Sequence, residues 1–140
     1  MSPDPSRKSA RWNDRSWWTD VCCVGNIVVG TGVAALVGGR QIAIFRLWTG
    51  EVCAVDQFDP VAKAFVMARG IVGDRNGRPK VAAPVYKQGY YLDTGEAIEA
   101  AGEPLACFPC RVRGGRVEVI PEPLVAGPKA DGAATGSQAA

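Results

Sequence analysis

The chain has 140 residues and a formal net charge of +2, from 16 Lys and Arg against 14 Asp and Glu. That length suits one folded domain, and so small a charge points neither to nucleic acid nor to an anionic membrane as the main partner. The absence of histidine excludes Ser-His-Asp and Cys-His nucleophilic schemes, proximal-His haem and every His-containing zinc site.

In chain order, residues 1–16 are polar, carry Pro3 and Pro5, and read as a flexible tail. The basic start (Arg7, Lys8, Arg11) runs into Trp12, Asn13 and Asp14 rather than an apolar stretch, so no secretory signal is read there. Residues 17–21 predict an opening strand. Residues 21–39 hold no charge, and about 20 apolar residues would span a bilayer. Gly25, Gly30, Gly32, Gly38, Gly39, Asn26 and Thr31 interrupt this stretch. It reads as a loop and a buried strand, not as a membrane span.

Residues 32–37 and 40–47 are β-type runs around Gly38-Gly39, a pair suited to a hairpin turn with positive φ. Thr49-Gly50 turns the chain into a strand over 51–57. Residues 58–77 are irregular, with one or two helical turns over 62–69 stopped by Gly70 and a turn at 74–77. Residues 79–85 and 89–92 predict strands, and Asp93-Thr94-Gly95 turns again. Residues 105–113 and 116–120 predict a last hairpin around Gly114-Gly115. Residues 121–140, rich in Pro, Gly and Ala, read as a disordered tail. The folded unit is thus 17–120. Short strands, frequent turns and no extended helical period give an all-β fold, a small antiparallel sandwich or barrel with a short irregular or helical insertion.

The cysteines are Cys22, Cys23, Cys53, Cys107 and Cys110, an odd count read as reduced thiols of a cytoplasmic protein. Cys107-Phe-Pro-Cys110 has the spacing of a redox or zinc half-site. A closed zinc site needs further converging thiols, and redox pairs of this type open a helix. The plainer reading is two thiols on opposite faces of one strand. The segments Gly70-Ile-Val-Gly73 and Gly38-Gly39 precede no long helix and read as turns rather than phosphate loops. Trp17, Trp18 and Trp48 are expected either in the core or on a binding patch.

Four segments carry a family resemblance: residues 32–46 (GVAALVGGRQIAIFR), 69–75 (RGIVGDR), 84–88 (PVYKQ) and 109–117 (PCRVRGGRV). Together they resemble the small subunits of assimilatory NAD(P)H-dependent nitrite reductases, within the Rieske-like superfamily. True Rieske domains hold a two-iron cluster with two Cys and two His from two loops. The resemblance places the corresponding positions at Asp59 and Val61 in the first loop and at Ala83 and Tyr86 in the second. None is a thiolate or an imidazole, so the scaffold is implied without its cluster ligands. Asp59 alone suggests a turn-opening residue more than a general base or a metal ligand, because that loop holds no second carboxylate. Tyr86, Lys87 and Gln88 read either as a ring filling the cluster space beside a solvated lysine, or, with Asp59, as a partner contact.

The resemblance implies no catalytic, cofactor-binding or metal residue on this chain. It implies a partner, the large subunit of nitrite reductase, bearing FAD, an iron–sulfur cluster and sirohaem. The expected role is support of that subunit in reducing nitrite to ammonium. The alternative is a free-standing Rieske-like interaction module that binds another oxidoreductase or a small ligand.

Overall fold

The computed structural model describes residues 17–124. Among the described residues twelve strands form in chain order, with bounds and pairing set by turn residues: β1 (Thr19–Cys23), β2 (Gly32–Val37), β3 (Arg40–Arg46), β4 (Val52–Asp56), β5 (Phe58–Asp59), β6 (Ala64–Phe65), β7 (Ile71–Arg75), β8 (Arg78–Ala82), β9 (Gly89–Tyr91), β10 (Cys107–Phe108), β11 (Cys110–Arg113) and β12 (Arg116–Val119). Two three-residue 3-10 turns, Val24–Asn26 and Met67–Arg69, lie between strands. The sequence reading of an all-β antiparallel fold therefore holds.

The hairpin turns follow from residues that tolerate positive φ. Gly38 and Gly39 stand at 57° and 81°, Asn76 and Gly77 at 54° and 84°, and Gly114 and Gly115 at 58° and 78°. Paired positive φ values match the right-handed twist of the flanking strands. These turns join β2 to β3, β7 to β8 and β11 to β12, all antiparallel.

The four-stranded sheet β10-β4-β3-β2 lies at the centre. In β3 the run Ile42, Ala43, Ile44, Phe45 has no exposed surface. Alternate residues of a strand face opposite ways, so this one strand feeds two cores. Ile42 and Ile44 pack with Val52, Ala54, Phe108, Val117 and Val119, under the sheet β1-β12-β11. Ala43 and Phe45 pack with Val55, Met67, Val81, Tyr90 and Leu92, under the sheet β7-β8-β9. That second sheet carries one of the loops described below, and the small β5-β6 pair carries the other.

Several local expectations are corrected. The opening strand starts at Thr19 rather than 17. β2 is an edge strand with Val37 buried and Leu36 74% exposed, not a buried strand. The helical turns expected over 62–69 reduce to Met67–Arg69, because Ala64 and Phe65 pair with β5. Gly73 lies inside β7, not in a turn. The run 105–113 is no single strand. Pro109 breaks it, so β10 pairs with β4 while β11 pairs with β12. Cys107 and Cys110 thus belong to different sheets, not to opposite faces of one strand. No described tryptophan enters the core: Trp48 is 73% exposed, Trp17 41%, and Trp18 lies under the Arg111 guanidinium at 3.9 Å.

Among the described residues no helix is long and apolar enough to cross a membrane. The tail expectation for 1–16 and 125–140 lies outside the described residues. At its described start the second tail is built into the fold: Leu124 N–H donates to the Cys107 carbonyl at 2.7 Å, and its side chain packs against the core.

Candidate functional site

Two short loops are joined through a side-chain hydrogen bond between Gln88 and Asp59. The first joins β5 to β6 and runs Asp59-Pro60-Val61-Ala62-Lys63; the second joins β8 to β9 and runs Ala83-Pro84-Val85-Tyr86-Lys87. Both repeat the pattern x-Pro-Val-x-Lys, and both close the same way. Lys63 N–H donates to the Asp59 carbonyl at 2.8 Å, and Lys87 N–H donates to the Ala83 carbonyl at 3.0 Å. Each lysine takes a positive φ, 58° at Lys63 and 67° at Lys87. For a residue with a Cβ this left-handed conformation costs about 1–2 kcal/mol.

The loops are joined beneath their tips. Asp59 is fully buried, and its Oδ1 accepts from Val61 N–H at 2.9 Å, Ala62 N–H at 3.2 Å and Gln88 Nε2 at 2.8 Å. Gln88 Nε2 also donates to the Tyr90 hydroxyl at 3.1 Å, and Ala83 N–H donates to the Gln88 carbonyl at 2.8 Å. Burial pushes the Tyr90 phenol up from its usual range, while its bond to Gln88 acts the other way. Behind the first loop, buried Gln57 accepts from Ala68 N–H at 2.8 Å and donates to the Phe65 carbonyl at 3.1 Å. Asp59 as the opener of a turn is therefore what the geometry contains. As a partner contact Asp59 is corrected, because it supports the tips from below and has no exposed surface.

The tips themselves are exposed and apolar. Val61 and Val85 are each 52% exposed, Phe65 52% and Tyr86 64%. Tyr86 therefore does not fill the space between the loops; buried Ala83, Asp59 and Tyr90 occupy that region. Lys87 is exposed and turns its Nζ to the Pro84 carbonyl at 2.9 Å. Lys63, Val61, Phe65 and Val85 were not singled out from sequence as surface residues. The repeated x-Pro-Val-x-Lys pattern is the signal that exposes Lys63, Val61 and Val85, and Phe65 lies outside it.

The Rieske-like [2Fe-2S] domain family matches residues 17–120. The nitrite reductase (NADH) small subunit of Salmonella typhimurium is 36% identical over 105 residues, which is 74% of this chain and 97% of that protein. This chain belongs to the Rieske-like family of nitrite reductase small subunits. A crystal structure from Mycobacterium tuberculosis, provisionally named an NADH-dependent nitrite reductase small subunit, is 42% identical. It covers 73% of this chain and 92% of its own, with a TM-score of 0.70. The nitrite reductase [NAD(P)H] large subunit of Klebsiella oxytoca is 35% identical over 109 residues, 78% of this chain but 11% of that protein.

The residues at the two loops do not fit the iron–sulfur group of true Rieske domains. A Rieske cluster takes thiolates on one iron and imidazoles on the other. Here Val61 and Ala83 offer no donor atom, the Tyr86 ring is turned to the surface, and Asp59 Oδ1 is committed to two backbone amides and Gln88. The thiols lie elsewhere, with Cys107 in the central sheet and Cys110 at the start of β11. Among the described residues no three Cys, Asp or Glu side chains gather where they could hold a metal ion. Burial pushes the Cys53 thiol up to about 12 and the Cys107 thiol up to about 11, and it raises Cys110 as well. Raised thiols are protonated near neutral pH and are poor ligands and nucleophiles.

Proposed function

We propose that this chain is the small subunit of an NAD(P)H-dependent nitrite reductase in nitrate assimilation, and that it works in the cytoplasm without a redox group of its own. Its role is to bind and support the large subunit. The family resemblance implies that FAD, an iron–sulfur cluster and sirohaem sit there and carry nitrite to ammonium. Cofactors supply such chemistry, and a chain without donor residues contributes binding and orientation. The observation that carries this reading is the family match over residues 17–120, around loops that carry Asp59, Val61, Ala83 and Tyr86 at the positions the resemblance assigns to cluster ligands. The Klebsiella oxytoca protein supports it further, since a similar stretch there is part of the large subunit itself. The contact face is the exposed end of the two loops, with Tyr86 and Lys87 on it and Asp59 and Gln88 holding it from beneath.

The test is NAD(P)H-dependent nitrite reduction by the cofactor-loaded large subunit, with and without this chain. Activity or half-life should rise and saturate at stoichiometric addition, and the purified small subunit should show no visible iron–sulfur absorption. A coloured, electron-carrying isolated chain would overturn the redox-free role. Failure of the two subunits to form a complex would move the assignment to a free-standing interaction module.

A further inference from the structure

We infer that Lys63 and Lys87 are a matched pair of cationic anchors, one on each loop, which seat the apolar tips of Val61, Val85 and Tyr86 on a carboxylate-bearing apolar surface of the large subunit. The inference rests on the small-subunit reading and names the chemistry of its contact.

Three observations converge on it. First, the φ values of 58° and 67° at Lys63 and Lys87 belong to a region that glycine occupies freely and lysine does not. Neither lysine recovers that strain through an ion pair among the described residues. A side chain kept at a strained position with no ionic partner in its own fold points to a partner outside it. Second, the two lysines end loops of the same pattern and the same closing hydrogen bond, and the Gln88 to Asp59 bond of 2.8 Å sets those loops side by side. The charges therefore flank one patch. Third, the surface between them is apolar, with Val61 and Val85 each 52% exposed and Tyr86 64%. Across 58–70 and 83–91 the one acidic residue is Asp59, which is buried. An apolar centre with one lysine on each loop, and with its nearest other carboxylates, Glu99 and Glu103, on the neighbouring segment beside Tyr90, complements an apolar surface that bears carboxylates. The other positive-φ residue with a side chain among those described, Asn76, sits in an ordinary Asn-Gly hairpin turn and carries no charge.

The experiment measures binding of the full-length chain to the purified, cofactor-loaded large subunit at several salt concentrations. The double variant Lys63→Gly/Lys87→Gly removes both charges while relieving the backbone strain. It should melt at or above the wild-type temperature, bind at least tenfold more weakly, and lose part of the salt dependence. Lys63→Arg/Lys87→Arg should bind within a few fold of wild type. A control with the same net charge, Arg75→Gln/Arg113→Gln, lies on the β7–β8 and β11–β12 hairpins and should bind as wild type. Wild-type affinity and salt dependence in the glycine double variant would overturn the anchor assignment while leaving the small-subunit reading intact. A wild-type chain that binds no large subunit would overturn both. If the small subunit alone sediments as a dimer that the glycine variant loses, the patch joins two copies of this chain and the assignment fails.

Discussion

Gln88 reaches across to Asp59, its Nε2 donating to Asp59 Oδ1 at 2.8 Å between residues separated by 29 positions in the chain. The family resemblance assigns the two loops that these residues belong to as the pair that holds the cluster in true Rieske domains. In this chain a side-chain hydrogen bond joins them. The same Oδ1 accepts from the amides of Val61 and Ala62, so one buried carboxylate both shapes the first loop and ties it to the second.

Asp59→Ala should therefore be costly. It strands two backbone amides and the Gln88 amide at a buried site, a loss of about 2–3 kcal/mol. Asp59→Asn keeps an acceptor at Oδ1 and should cost less than half as much. Asp59 Oδ2 has no hydrogen-bond partner among the described residues, so the second oxygen adds no bond to lose. Urea unfolding at neutral pH measures both. An alanine variant as stable as wild type would show that the carboxylate does not hold the loops.

Asp56 gives a pH-dependent prediction. Burial raises its carboxyl above the usual range, against the opposing pull of the Phe58 N–H at 3.0 Å and of Arg40. The folded state thus binds this proton more tightly than the unfolded chain, whose Asp titrates near about 3.9. Its contribution to stability rises as pH falls from neutral through the raised folded value, and levels off below the unfolded one. Asp56→Asn, keeping an acceptor for Phe58, should stabilise the protein at pH 7 by about 0.5–1 kcal/mol and remove this slope. Melting temperatures across pH 4–8 would show it. A variant with an unchanged slope would mean that Asp56 is not its source.

Gly70 has an ordinary φ of −70°, so its need for glycine comes from space and not from conformation. A Cβ there would stand 2.6 Å from the Ala82 carbonyl oxygen and 2.6 Å from Val81 Cγ2. Gly70→Ala should cost about 2–3 kcal/mol through forced separation of the Met67–Arg69 turn from β8. Gly39→Ala, where φ is 81° but nothing lies within 4 Å, should cost only the strain of about 1 kcal/mol. Thermal unfolding of the pair distinguishes crowding from backbone strain, and equal losses would contradict the distinction.

Cys23 is the exposed thiol, whereas Cys53 and Cys110 are partly covered and Cys107 is buried. Maleimide at pH 7.5 should label Cys23 first. Cys53, Cys107 and Cys110 should react at least tenfold more slowly until the protein is unfolded, since burial keeps them protonated and hidden. Peptide mass spectrometry of timed samples reads the order. Early labelling of Cys107 would mean that β10 opens locally.

Local chemistry was legible where it acts alone. The glycine pairs at 38–39 and 114–115 marked two hairpins because few residue types accept two consecutive positive φ values, while Asn76-Gly77 marked a turn whose first strand, β7, was read as irregular. The β-type run at 40–47 was legible as a strand, but its place at the centre of the fold was not. The same local reading merged β10 and β11 into one strand, since the run from 105 to 113 says nothing of which sheet each half joins. It left Trp17, Trp18 and Trp48 open between core and surface, because ring size does not reveal exposure. Buried Phe45, Phe108 and Tyr90 take the core places.

By itself, then, the sequence determined the all-β class, the main hairpins and the lack of thiolate and imidazole at the two loops, because turn chemistry and donor chemistry reside in single residues. The tertiary structure alone decided that Asp59 lies beneath the loops and not on them. It alone placed Gln88 against Asp59, and only there do Lys63 and Lys87 flank one apolar patch. Those facts depend on how two distant loops are brought together over the core of Ala43, Phe45 and Tyr90, and no local pattern encodes that meeting.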